Sequence, residues 1–137
     1  MTAAHYLLAS ASLTVAQLLG ASMLRAKAWT PSGLKLAFGN RERMPEAGAL
    51  AGRADRAAKN MLENMVLLLA VIVAAQAIAG SSERSSERLA LGAAIFFWAR
   101  VAYVPLYLAG VQYARTLAWA VALAGLVWAA TGALSLG

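Results

Sequence analysis

Residues 116–134 carry no charged side chain, and three other stretches of similar length come close to the same condition. About 20 mostly apolar residues suffice for a helix to cross the hydrocarbon core of a bilayer. Residues 6–24 carry no charge, though Ser10, Ser12, Thr14 and Gln17 interrupt the apolar run. Residues 65–79 are uncharged and mostly apolar and follow a polar, helix-favouring stretch over 53–64, while Arg100 is the one charge within residues 89–108. None shows the strict polar/apolar alternation of a membrane barrel strand. The expected fold class is therefore all-α, an integral membrane four-helix bundle forming one domain over 1–137. Its helices are expected at about 4–24, 53–79, 87–108 and 115–134, with a loop over about 25–52.

Composition closes the other routes. The chain has 137 residues, of which 61% are hydrophobic and 13% charged, against about 45–50% and about 25% in an average soluble domain. So short a chain has too little interior to hide that much apolar surface from water. Disorder needs low hydrophobicity, and a chain without cysteine builds no disulfide or thiolate–zinc framework. A signal peptide wants basic residues ahead of its apolar run. Residues 1–5 offer none, so the first segment reads as a retained helix. His5 is the sole histidine and reads as an interfacial residue; no metal site is expected.

The net charge of +6 is concentrated in one place. Residues 25–59 hold Arg25, Lys27, Lys35, Arg41, Arg43, Arg53, Arg56 and Lys59 against Glu42, Glu46 and Asp55. The positive-inside bias predicts a cytoplasmic loop, with both termini on the opposite side of a bacterial inner membrane. Contact with membrane lipid follows. Trp29 and Phe38 are the sole aromatic residues of this stretch and do not make the series of stacking platforms of a single-strand nucleic-acid groove, so no nucleic-acid partner is expected.

A few polar residues stand where lipid excludes them. Charged groups within a span face protein or a water-filled cavity. Arg100 lies roughly 12 Å from the end of its helix at about 1.5 Å per residue, and Tyr103 and Tyr107 follow on its face at i+3 and i+7. On the second helix Arg53, Arg56, Asn60, Glu63 and Asn64 fall within an arc of about 100°. Glu63 and Arg100 are candidates for a buried ion pair, since either alone is an uncompensated charge. Such a pair serves either to fix helix register or to line a cavity for an anion. The tyrosines serve equally in an interfacial belt. Pro105 is expected to kink the third helix. Ala118, Ala122, Gly125, Ala129 and Gly132 keep one side of the fourth helix small, which permits close approach of another helix, in an oligomer among other settings.

The run Arg56-Ala57-Ala58-Lys59-Asn60-Met61-Leu62-Glu63 resembles the R-A-x-x-N-x-x-E motif of the MAPEG family, membrane-associated proteins of eicosanoid and glutathione metabolism. Ala99-Arg100-Val101-Ala102-Tyr103, Tyr107 and Arg115-Thr116-Leu117-Ala118-Trp119 are similar to later family segments. The stretches 37–41 and 52–56 look like a bacterial branch. This resemblance implies a homotrimer of four-helix protomers with sites between subunits. It implies glutathione as co-substrate, bound by Arg56, Asn60, Glu63, Arg100, Tyr103 and Tyr107, with Arg53 and Arg25 as further candidates. Arg115 resembles the arginine that stabilises the thiolate, and Thr116 takes the place of a neighbouring hydroxyl. The implied activity is a thiol transferase or peroxidase acting on a lipophilic small molecule that arrives through the bilayer. The alternative within the same fold is a lipid-binding or scaffold protein without chemistry.

Overall fold

A computed structural model describes residues 1–40, 46–79 and 83–134. Arg41, Glu42 and Arg43 of the basic loop lie outside the described residues. The described chain is helical: α1 (Ala3–Ala26), α2 (Pro31–Phe38), α3 (Ala49–Ala79), α4 (Glu83–Ala109) and α5 (Gln112–Leu134). Four of these, α1, α3, α4 and α5, are long and apolar enough to cross a membrane. The protein is thus an all-α bundle of four spans.

Local chemistry sets the ends. Thr2 begins α1, with its backbone N–H 3.3 Å from His5 Nδ1 and its hydroxyl 2.7 Å from the same nitrogen. The sole histidine therefore closes a helix end. At the other end Lys27 turns left-handed at φ 51°, and Ala28 N–H returns to the Met23 carbonyl at 3.0 Å, a closure that satisfies carbonyls a helix leaves open. The connection after α1 holds a short helix where the sequence reading has only loop. Thr30 Oγ1 accepts from Gly33 N–H at 3.0 Å and Pro31 occupies the first turn, both strong start signals. Gly33 packs directly on the Ala26 and Lys27 carbonyls, where any Cβ would collide with backbone. Between α4 and α5, Gly110 takes φ 79° and makes the tight turn. Helix α4 continues through Pro105 to Ala109.

The α3–α4 pair forms the middle of the bundle. Helix α1 packs on one side of it and α5 on the other, without contact between α1 and α5 among the described residues. Met61, Leu68 and Ile72 of α3, Ala93 and Phe96 of α4, and Ala122 and Ala129 of α5 are buried together. The tightest seam joins α4 to α5. A Cβ on Gly92 would stand 2.5 Å from the Gly125 carbonyl, and one on Gly125 would stand 2.8 Å from the Gly92 carbonyl. The small-residue side of the last helix is thus consumed within the protomer, which corrects the reading of that stripe as support for an oligomer. Leu8, Val15, Val66, Val73, Leu117 and Val127 are exposed around the bundle, as expected where the surrounding solvent is hydrocarbon.

Candidate functional site

Helices α3, α4 and α5 converge at the end of the bundle where α4 turns into α5. Asn60, Tyr103, Tyr107, Arg115, Thr116 and Trp119 line a cavity of about 290 Å³ there. The spacing of the tyrosines brings their rings together, 5.2 Å between centroids with the planes tilted by 45°. Arg115 follows the Gly110 turn, and its guanidinium stands 4.7 Å from the Tyr107 ring centroid. It makes no ion pair among the described residues. On the inner side the Arg100 guanidinium stands 5.0 Å from the Tyr103 ring centroid. A cation, two tilted rings and a second cation thus run from the core to the cavity.

Arg100 is fully buried, at 0% exposure, and does not reach the cavity wall. Its Nη1 donates to Asn60 Oδ1 at 2.8 Å. This corrects the expected pairing with Glu63, which is exposed. The reason is angular. At about 100° per residue Glu63 lies roughly 60° further around α3 than Asn60, away from the core. The polar arc of α3 is therefore split. Asn64 is buried, its Nδ2 donating to the Asn60 carbonyl at 2.7 Å; Asn60 sits at the boundary, and Arg56 and Glu63 face outward.

The remaining basic candidates have other tasks in the protomer. Arg53 Nε donates to the Leu108 carbonyl at 2.7 Å, tying the start of α3 to the end of α4. Arg25 pairs with Asp55 at 2.6 Å, both side chains about a third exposed. Thr116 Oγ1 donates to the Gln112 carbonyl at 3.0 Å, so its proton is committed to its own helix while its oxygen still accepts. No group of three or more metal-ligating side chains occurs among the described residues.

Two features escape the residue-by-residue reading. Trp119 closes the cavity wall, and on α1 Ser10 and Thr14 are buried, with Gln17 half-buried. Their i, i+4, i+7 spacing is the signal that a polar face of α1 turns inward.

Four membrane-spanning helices with a polar cavity lined by one cation, Arg115, at one end define the class: a helical integral membrane protein with its polar site at a helix-turn end. Residues 3–135 match the family model of the MAPEG family, and the chain belongs to that family. Searches of the curated proteins and of the solved structures gave no match. Membership carries the general function of membrane-associated glutathione and eicosanoid metabolism.

Proposed function

We propose that the protein is a membrane-embedded thiol transferase or peroxidase, with glutathione or a related thiol as co-substrate and a lipophilic electrophile as acceptor. The observation that carries this reading is Arg115: a guanidinium on a cavity wall, held over Tyr107 without a carboxylate partner among the described residues. A thiol with pKa near 8.5 is mostly protonated at neutral pH, and only its thiolate attacks. An always-charged guanidinium favours that anion without a base. The thiol proton leaves to solvent. The sulfur forms a bond to the electrophilic carbon, and a leaving group departs with its electron pair or a double bond takes up the electrons. The protein then needs no cysteine, and it has none.

Asn60 offers an amide at the same cavity, and Tyr103 and Tyr107 supply walls. Arg56 and Glu63 point away from their own protomer's cavity, so in this reading they complete the site of a neighbouring subunit in a homotrimer. Outward charges at the mouth of a membrane helix support such a neighbour, because lipid rejects them. Arg53 and Arg25 do not line this cavity; Arg53 holds the Leu108 carbonyl and Arg25 pairs with Asp55. In this reading this end of the bundle faces the cytoplasm of a bacterial cell, with both termini across the inner membrane, and the charge bias of residues 25–59 supports that orientation. Calorimetry of glutathione with the detergent-solubilised protein tests the reading. Saturable binding that weakens at least tenfold in Arg115→Ala supports it, and absence of binding sinks it.

The committed Thr116 hydroxyl favours a second reading, a lipid-binding protein of the same fold without catalysis. A thiolate absorbance band on adding glutathione counts against that reading.

A further inference from the structure

Arg100 has a second edge that the cavity does not explain. Its Nη1 is bonded to Asn60, but Nε and Nη2 are buried without a hydrogen-bond partner. Those two nitrogens form the side-on fork with which an arginine grips a carboxylate or another anion. No carboxylate of the described residues answers it. Among the described residues Asp55 is paired with Arg25, and Glu46, Glu63, Glu83 and Glu87 are exposed. A neighbouring subunit's carboxylate is excluded too, because the protomer encloses Arg100 completely by itself. The Phe96 and Tyr103 rings, 5.5 Å and 5.0 Å away, ease burial of the charge but provide no lone pair for the in-plane donors.

Two further donors, Ser10 Oγ and Gln17 Nε2, are buried and unpartnered in the bundle, as are the acceptors Asn64 Oδ1 and Gln17 Oε1. Tyr6 of α1 packs on Phe97 of α4 at 6.1 Å, and further along Gln17 and Leu24 share a cavity with Val104 and Leu108. The two helices therefore run parallel, and this register brings Ser10 level with Arg100. Ser10 has a hydroxyl proton to give and, at 0% exposure, no water outside the protein to give it to.

We infer that the Nε/Nη2 edge of Arg100 binds a small inorganic anion of halide size inside each protomer, with the Ser10 hydroxyl as a further donor. A water molecule satisfies the donors but leaves a full positive charge in a low-dielectric interior, a costly state that a monovalent anion cancels. At 0% exposure Arg100 meets no opening to the outside through which a thiol tripeptide could reach it. Because Arg100 is not on the wall of the Asn60–Arg115 cavity, the anion and a ligand of that cavity bind at separate places.

The test uses the full-length protein in detergent. Chloride is exchanged for gluconate, which is too large to enter, at constant ionic strength, and thermal unfolding is followed. Chloride or bromide is expected to raise the melting temperature saturably, by roughly 3–8 °C per decade of concentration above the dissociation constant, with or without glutathione. Arg100→Gln is expected to abolish the response. Should that variant fail to fold, Ser10→Ala decides the matter, with halide affinity lowered about tenfold. Crystals grown in bromide are expected to show an anomalous peak within hydrogen-bond distance of Nε and Nη2. Water alone at that edge overturns the inference, as does a melting temperature indifferent to the exchange.

Discussion

Arg100 Nη1 and Asn60 Oδ1 lie 2.8 Å apart, and this bond decides which end of the Asn60 amide faces the cavity. With its oxygen held by a charged donor, Asn60 presents N–H groups, suited to a carbonyl or carboxylate on a ligand. Asn60→Asp reverses that. The new carboxylate gives Arg100 an ion-pair partner, so the melting temperature is expected to hold or rise. The donor to the ligand is lost and a negative charge replaces it, so glutathione affinity is expected to fall tenfold or more. Unfolding and calorimetry on one preparation read both signs.

Arg115 and Tyr107 form the outer half of the same row of cations and rings, with the guanidinium 4.7 Å from the ring centroid. Losing a preorganised charge at a developing anion slows turnover by about 10²–10³, and Arg115→Ala is expected to show that loss in kcat for thiol conjugation. Arg115→Lys keeps a charge but not a planar group that stacks, and its rate should fall between the two. Tyr107→Phe retains the ring that supports Arg115 and is expected to stay within about threefold of wild type, because a cation–π contact needs the ring face and not the hydroxyl. Tyr107→Leu removes the ring and should approach the Arg115→Lys value.

The spans were legible because lipid imposes one requirement on every residue of a helix, and long uncharged runs such as residues 116–134 record it directly. Tyr103, Tyr107 and Arg115 converge on one cavity, as helical spacing and a short turn dictate. The partner of Arg100 was not legible. Asn60 and Glu63 belong to one polar arc, and only the rotation of α3 against α4 decides which of them meets the guanidinium. Helix α2 was hidden for a different reason. Eight residues starting Pro31-Ser32-Gly33 read as loop from composition, and the helix rests on the Thr30 cap and on packing against the end of α1.

Two arginine contacts outside the cavity should differ in their effect on stability. Arg53 reaches from α3 to the Leu108 carbonyl at 2.7 Å, where the helix end leaves that oxygen without an intrahelical donor. Arg53→Ala is expected to cost about 1 kcal/mol and to speed amide hydrogen exchange in the turn around Gly110. The Arg25–Asp55 pair is shorter, at 2.6 Å, but both side chains are about a third exposed. Asp55→Asn is therefore expected to cost under about 1 kcal/mol, an effect that fades at high salt. Equal losses for the two variants would contradict this ranking.

Glycines in the spans separate cleanly by what lies above them. A Cβ on Gly125 would come within 2.8 Å of the Gly92 carbonyl and 2.9 Å of Phe96 N, both backbone atoms that cannot swing aside. Gly125→Ala must therefore spread α4 from α5, and overpacking of this kind costs about 1–3 kcal/mol. Gly20 lies within α1, and a methyl group added there would meet nothing within 4 Å. Gly20→Ala places a better helix former at that position and is expected to stabilise the protein by up to about 1 kcal/mol. Thermal unfolding in detergent distinguishes the two by sign. A destabilised Gly20→Ala would mean that another subunit or a bound lipid occupies the space above Gly20, and chemical cross-linking of that variant would then tell which.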